Sequence, residues 1–232
     1  LTVVVGVIAV LGLVAGALLP SLVAKLPDRD REPGERARMS YRVLAATPRL
    51  RPVLSGVTAA TWAVLAVARG WVPDLPAYLL VAALGVALAW VDLREHRLPD
   101  MLTALALTGG GLLLGLAAVA TGDWVGYGRA WLVAGVMFAA FLGLAMLRPA
   151  DLGLGDVKLA GVVGLMLGWL GWGEAILGTF LGFLFGGAVG IFLLLVGRAG
   201  RRTALPFGPF MLLGALVAIA AGGVVMDAYL GR

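Results

Sequence analysis

The feature that most constrains this chain is a series of long apolar segments that carry almost no charge. In a chain of 232 residues, eight such segments lie at 1–24, 53–70, 76–91, 101–121, 130–147, 157–170, 175–196 and 208–226. A helix crosses the hydrocarbon core of a bilayer in about 20 residues, which is close to the length of most of them. Uninterrupted apolar runs also exclude a membrane barrel, whose strands alternate apolar and polar residues.

Composition agrees with this interpretation, because 61% of the residues are hydrophobic and only 13% are charged. The sequence therefore predicts an all-α polytopic membrane protein with about eight transmembrane helices. We expect one membrane domain over residues 1–232.

Basic residues predict the orientation of these helices. Fifteen of the 18 Lys and Arg residues fall in four loops, at 25–52, 92–100, 148–158 and 197–206. Loops rich in Lys and Arg stay in the cytoplasm, so both termini are expected outside. The net charge of +5 then reflects these loops and not a nucleic-acid partner.

Two further features fit this orientation. Residues 25–52 are expected to form a basic cytoplasmic loop on anionic lipid, with substrate binding as the alternative role. Five tryptophans near the opposite helix ends are typical of an interfacial belt: Trp71, Trp124, Trp131, Trp169 and Trp172.

The residue inventory excludes several kinds of catalytic site. The chain has no cysteine and one histidine, His96, so neither a thiolate zinc site nor a zinc site with two imidazoles is possible. Its serines all lie in the first quarter, which argues against a Ser-His-Asp hydrolase. We therefore predict no metal in the site.

Two carboxylates remain as candidates for chemistry, because ionisable groups at membrane edges are costly and usually functional. Asp92 ends one apolar segment and has no capping role there; a snorkelling or salt-bridged side chain is the alternative to a catalytic one. Asp156 follows Gly153 and Gly155, which permit close approach of another chain, and it begins another apolar segment. Capping of a helix N-terminus is the alternative role for Asp156.

Together the two aspartates predict acid–base hydrolysis by an activated water. Two carboxyl groups that share a site do not both ionise easily, so one is expected to act as acid and the other as base. The helix dipoles favour Asp156 as the base and Asp92 as the acid.

Neighbouring polar residues have simpler explanations. Asp100 follows Pro99 at a predicted helix N-terminus, where a carboxylate is stabilising. Asp151 and His96 are expected to be solvated loop residues. Lys158 is expected to pair with a carboxylate or to reach the lipid phosphates.

Glycine recurs every fourth residue in the seventh segment, at Gly178, Gly182, Gly186 and Gly190. Such a row forms a smooth helix face. We expect it to pack against a neighbouring helix, with contact to a substrate helix as the alternative.

Three motifs in order give the chain a family resemblance. The first comprises Asp92, Pro99 and Asp100, and the second comprises Gly153, Gly155, Asp156, Lys158 and Leu159. The third is the run Pro206, Phe207, Gly208, Pro209 and Phe210. Residues 16–27, near the start of the chain, also look like a degenerate form of a further family motif. On these motifs the sequence resembles the type IV prepilin peptidases, which are aspartic intramembrane proteases of bacteria.

The resemblance implies a peptidase core over residues 76–226 in the bacterial inner membrane, with Asp92 and Asp156 as the catalytic pair and the other motif residues as support or substrate contacts. It also implies a prepilin or pseudopilin substrate with a short basic leader, a Gly before the cut and an apolar helix. Cleavage would take place at the cytoplasmic face and would need no cofactor.

Some departures from the family argue against its second activity, which is methylation of the new N-terminus by S-adenosylmethionine. The two Cys-x-x-Cys pairs of many members are missing, and Pro20 stands where the family has Asn. Two other classes stay open. One is a small transporter or proton relay that uses Asp92 and Asp156, although transporter sites lie near the midplane. The other is a noncatalytic membrane scaffold.

Overall fold

The computed structural model describes residues 2–27, 39–147, 152–198 and 205–230, with side-chain surroundings as far as residue 221. Within those ranges the chain forms helices and no strands. The helices are α1 (Thr2–Ala24), α2 (Tyr41–Ala45), α3 (Leu50–Arg69), α4 (Leu75–Glu95), α5 (Asp100–Thr121), α6 (Trp124–Leu147), α7 (Leu154–Leu170), α8 (Trp172–Leu195) and α9 (Gly208–Leu230).

The all-helical membrane fold is confirmed, since each of the eight predicted segments corresponds to a helix. Only the short helix α2 had no predicted segment. Six helices, α1, α3 to α6 and α8, are long and apolar enough to cross a membrane. Helix α7 has 17 residues, and the described apolar part of α9 is Gly208–Ala221. The chain is thus a multi-pass membrane protein, while the count of eight crossings and the side on which the termini lie stay predictions.

Several helices extend beyond the apolar segments that predicted them. Helix α6 begins at Trp124 and not at residue 130, because Asp123 Oδ1 accepts a hydrogen bond from Gly126 N at 2.7 Å and caps the helix. Helix α7 begins at Leu154, three residues before the predicted start at 157. The glycine-rich loop of the sequence is therefore largely the first turn of α7.

Helix α7 is the centre of the bundle. Every residue from Leu159 to Trp169 is buried, and the helix packs against α5, α6, α8 and α9. Its glycines allow close approach: a Cβ at Gly164 would lie 2.9 Å from Ala134 Cα of α6. Bulkier residues at this contact would separate the two helices.

The carbonyl groups at the C-terminal end of α7 all have hydrogen-bond partners. Gly171 N donates to Leu167 O, and Arg129 of α6 donates to the carbonyls of the last three residues of α7, namely Gly168, Trp169 and Leu170. These are the four carbonyls that a helix end leaves without partners. Trp169 of the predicted tryptophan belt lies at this helix end, where it is 7% exposed and donates through Nε1 to buried Asp74.

The glycine row of α8 faces α9. A Cβ at Gly178 would lie 3.2 Å from Ala218 Cβ, and one at Gly182 would lie 3.3 Å from Met211 Cα. The expected packing role fits these contacts. Gly178 and Gly182 are buried, while Gly186 and Gly190 are partly exposed, so contact of that half of the row with a substrate helix stays a prediction.

The part of the predicted basic loop that the structure describes is folded against the bundle. Tyr41 and Leu44 of α2 are buried, and Ser40 Oγ accepts from Val43 N to cap the helix. Arg97 lies 4.1 Å from the Tyr41 ring centroid and donates to Met39 O. Residues 39–49 are therefore attached to the loop after α4, and the rest of the loop lies outside the described residues.

Candidate functional site

Asp92 lies in the last turn of α4 and is almost completely buried, with 4% of its surface exposed. Its Oδ2 accepts a hydrogen bond from Gly208 N at 3.1 Å. Gly208 is the first residue of α9, where a backbone N–H has no partner within the helix. The start of α9 thus supplies a donor to a carboxylate on α4.

Asp156 is the third residue of α7 and is half-buried. Its Oδ2 accepts from Gly153 N at 3.3 Å, as a carboxylate at this position of a helix often does. Its Oδ1 is buried and has no hydrogen-bond partner. That oxygen has full capacity to accept a bond from a water or from a bound substrate.

Two leucines fill the space between the helix ends that carry the aspartates. A Cβ built on Gly208 would lie 2.8 Å from Asp92 Oδ2 and 3.4 Å from both Leu98 Cδ2 and Leu159 Cδ2. A Cβ at Gly155 would lie 2.9 Å from Leu98 Cβ. The ends of α4, α7 and α9 therefore converge around Leu98, which contacts both Gly155 beside Asp156 and Gly208 beside Asp92.

The third motif is fixed by aromatic packing and by helix geometry. The Phe207 ring lies 4.9 Å from that of Phe183 and 6.1 Å from that of Phe141, centroid to centroid. Pro209 occupies the first turn of α9, where the missing N–H costs nothing. Half-buried Pro206 precedes Phe207. This segment positions Gly208 N against Asp92.

The remaining motif residues form a separate, exposed pair. Lys158 Nζ lies 2.6 Å from Asp100 Oδ1, and their side chains are 44% and 69% exposed. Pro99 is buried and caps α5, where its carbonyl accepts from Thr103. The structure thus joins Lys158 to Asp100 and not to either buried aspartate.

The division of roles inferred from the dipoles involves more than one helix end for Asp92. Asp92 does lie at the C-terminal end of its own helix, but it also lies at the N-terminal end of α9. A backbone N–H at that end stabilises the charged form of a carboxylate. Each aspartate accepts one such bond, so the dipoles alone do not separate the two, and the division of roles stays a prediction.

Sequence reasoning missed Leu98 and the donor role of Gly208 N. The signal for Leu98 was present, since it is an isolated apolar residue in the polar run between Asp92 and Pro99. The Gly208 contact had no local signal, because it joins residues 116 positions apart. Gly153 has an ordinary extended backbone with φ −78°, so it does not need the conformational freedom of glycine. Asp151 lies outside the described residues.

The described residues hold no group of three or more His, Asp or Glu side chains that could bind a metal ion. The site as described therefore consists of two carboxyl groups, one backbone donor to each, and an apolar wall of leucines. Such an arrangement is suited to proton transfer to and from a water molecule.

Comparison with known proteins identifies the family. The model of the type IV leader peptidase family matches residues 78–226. The chain is 36% identical over 169 residues to a prepilin leader peptidase/N-methyltransferase of Aeromonas hydrophila, covering 72% of this chain and 56% of that protein. A protein of the same name from Legionella pneumophila is 31% identical over 158 residues, covering 66% and 52%.

The chain spans about half of the length of these curated relatives. No solved structure matches it. The family model nevertheless covers more than half of the chain and includes both aspartates and the third motif. The chain belongs to the type IV leader peptidase family.

Proposed function

We propose that this protein is an intramembrane aspartic endopeptidase that removes the short basic leader from prepilin-like proteins. The observation that carries the proposal is that the helix ends bearing Asp92 and Asp156 both contact Leu98, with Asp92 bonded to Gly208 N and with Asp156 Oδ1 buried and unpartnered. Membership of a leader peptidase family supports the reaction class, and the names of the relatives support the substrate class.

Catalysis would use the pair as one unit. The ionised carboxylate takes a proton from water while the water oxygen attacks the scissile carbonyl carbon. The protonated carboxyl donates to the carbonyl oxygen, giving a tetrahedral diol. Collapse of the diol breaks the C–N bond: the amine leaves with a proton from the carboxyl that first received one, and a diol hydroxyl returns its proton to the other carboxylate, so the pair ends as it began. Because both groups accept a similar backbone bond, we assign the acid and base roles to the pair together.

The substrate must unwind at the cut, since the carbonyls of a helical peptide are already hydrogen-bonded. A glycine just before the scissile bond lowers the cost of unwinding, because glycine favours the helix by about 1 kcal/mol less than alanine. We therefore expect cleavage after Gly and poor cleavage after β-branched residues.

The basic loops support a site at the cytoplasmic face of the bacterial inner membrane. Asp92 and Asp156 adjoin loops in the set that carries fifteen of the 18 basic residues. In that orientation water reaches the pair without crossing hydrocarbon, and the basic loops contact anionic lipid.

Methylation by S-adenosylmethionine is not part of the proposal, although the relatives are named for it. Polar groups at the 430 Å³ cavity between α5, α6 and α7 are the side chains of Asp100, Thr103 and Lys158 and the single indole N–H of Trp131. Asp100 and Lys158 bind each other, and Thr103 donates to the carbonyls of Pro99 and Asp100. A nucleoside needs several free polar partners, so this cavity, with the residues described, does not fit the group. Proteolysis by two carboxyl groups requires no cofactor.

The test is replacement of each aspartate in turn. Asp92→Asn and Asp156→Asn are each expected to abolish leader cleavage while leaving a folded membrane protein, since one partner in acid–base catalysis contributes ~10²–10⁴ in rate. Cleavage of a prepilin-like peptide by purified protein is the measurement, with Asp100→Asn as the exposed control. Near-normal processing by either variant would contradict the two-aspartate mechanism.

A further inference from the structure

An apolar groove lies on the helices that carry the site, beginning one turn from Asp92 at Ala89 of α4. It contains a cavity of about 200 Å³ that is lined by α3, α4, α7 and α9. Val57 of α3 and Leu213 of α9, on its two walls, are 47% and 44% exposed. The cavity is therefore open between α3 and α9 to whatever lies beside the protein.

The lining offers no free hydroxyl hydrogen to a ligand. The two hydroxyl groups in it are already used: Thr61 Oγ1 donates to Val57 O at 2.8 Å, and Tyr78 OH donates to Met166 O at 2.9 Å. The remaining lining residues are apolar, and those of α4 include the small residues Ala82, Gly85 and Ala89. An occupant must be apolar, and small residues allow it to approach the α4 backbone closely.

The groove is continuous with the aspartates on all three helices that form the site. Ala89 and Gly85 precede Asp92 by three and seven residues, so they lie roughly 5 and 10 Å from it along α4. Val163 follows Asp156 by seven residues on α7, again roughly 10 Å away and on the same helix face. Leu212 and Leu216 follow Gly208 by one and two turns. All three helices thus lead from the carboxyl pair into the cavity.

We propose that this groove receives the apolar helix of the substrate and selects a bulky apolar side chain in it. The inference depends on the proposed peptidase function. A substrate helix that continues inward from the cut advances about 1.5 Å per residue, so residues roughly three to ten positions beyond the scissile bond face the cavity. A single large side chain would enter it, while the helix itself lies outside the bundle along the neighbouring helices α3 and α9.

A second cavity, between α5, α6 and α7, is the competing location. Lys158 and Gly161 line it, and these residues lie on a different face of α7 from Asp156 and Val163. An occupant of that cavity would be separated from the carboxyl pair by α7. We therefore assign the substrate helix to the groove between α3 and α9.

Cross-linking tests the assignment, because the chain contains no native cysteine. Ala89→Cys and Leu216→Cys place a thiol near and far from the aspartates in the groove. Gly135→Cys is the matched control in the second cavity, where a Cβ meets nothing within 4 Å. Each change is made in an Asp156→Asn background, so that the bound peptide stays intact.

The probe is a synthetic peptide with a basic leader, one glycine, and an Ala/Leu helix of about 20 residues that spans a bilayer. One cysteine is moved residue by residue through the first three turns of that helix. The protein is reconstituted in phosphatidylethanolamine and phosphatidylglycerol vesicles, and disulfide formation is measured on gels.

We expect disulfides at Ala89→Cys with early peptide positions and at Leu216→Cys with later ones, both several-fold above Gly135→Cys. Equal or stronger linking at Gly135→Cys would overturn the assignment, as would linking that does not depend on peptide position or no linking at all.

A parallel cleavage assay of the same peptide by the native sequence separates this proposal from the proposed function. Cleavage without groove cross-links overturns the groove and leaves the peptidase. Cross-links without cleavage overturn the peptidase and leave the groove as a site for an apolar helix.

Discussion

At the scale of single residues, Gly208 has the least freedom to change. A Cβ there would lie 2.8 Å from Asp92 Oδ2, which is closer than side chains tolerate. Gly208→Ala keeps the backbone donor but pushes the carboxyl away from its position. A misplacement of about 1 Å can cost ~10²-fold in rate, so we expect a loss of kcat/KM of that order.

The control for this change is Gly187→Ala in α8, where a Cβ meets nothing within 4 Å. This variant should fold and cleave normally. Unchanged kcat/KM for Gly208→Ala would show that the backbone contact does not position Asp92.

The ion pair between Lys158 and Asp100 leads to a second prediction at this scale. Exposed pairs contribute about 0.2–1 kcal/mol, so Lys158→Met and Asp100→Asn should each change stability slightly and keep cleavage within a few-fold of normal. Thermal unfolding of both single variants and the double variant measures the coupling. Loss of cleavage in Lys158→Met alone would place the lysine in the chemistry.

The sequence singled out candidate site residues but not their contacts. Asp92 and Asp156 were recognisable because a carboxylate at a membrane edge needs a reason. The close approach at Gly155 was also anticipated from its residue type. The hydrogen bond from Gly208 N and the packing of Leu98 beside the aspartates depend on how α9 and the loop after α4 fold back onto the site. No local sequence pattern predicts that folding.

At the scale of elements, Arg129 holds the outer end of α7. Its side chain donates to the carbonyls of Gly168, Trp169 and Leu170, which the helix leaves without partners. Arg129→Met would leave these carbonyls unsatisfied, at a cost of about 1–3 kcal/mol for each one that water does not reach. We expect a clearly lower unfolding midpoint in detergent.

Arg129→Lys is the informative companion, because it keeps the charge but lacks the planar fork that reaches several oxygens at once. An intermediate midpoint is expected. Equal midpoints for Arg129→Met and the native sequence would mean that other groups satisfy the end of α7.

Helix positions could be predicted because continuous apolar segments leave few alternatives to a membrane helix. Their ends were less accessible, since capping decides them. Asp123 starts α6 six residues before its apolar segment, and α4 continues past residue 91 to Glu95. Helix α2 has only five residues and depends on burial of Tyr41 and Leu44, which no periodicity reveals.

At the scale of the whole molecule, orientation is the property to measure. Cysteines introduced as Glu95→Cys and Leu154→Cys adjoin the two aspartates, and Trp71→Cys marks the opposite end of the bundle. A membrane-impermeant thiol reagent should label the first two only from the cytoplasmic side and the third only from outside. The reverse pattern would contradict both the orientation and a site that opens to the cytoplasm.

The burial of α7 has a consequence for the lipid environment. Helices that contact lipid tilt or deform the bilayer when their length does not match its thickness. Every residue of α7 from Leu159 to Trp169 is shielded from that contact, and its outer end is closed by Arg129 inside the protein. The depth of Asp156 is then set by the helices around α7 and not by acyl-chain length, so membranes of different thickness should present the same carboxyl pair at the same distance from the Arg129 contact.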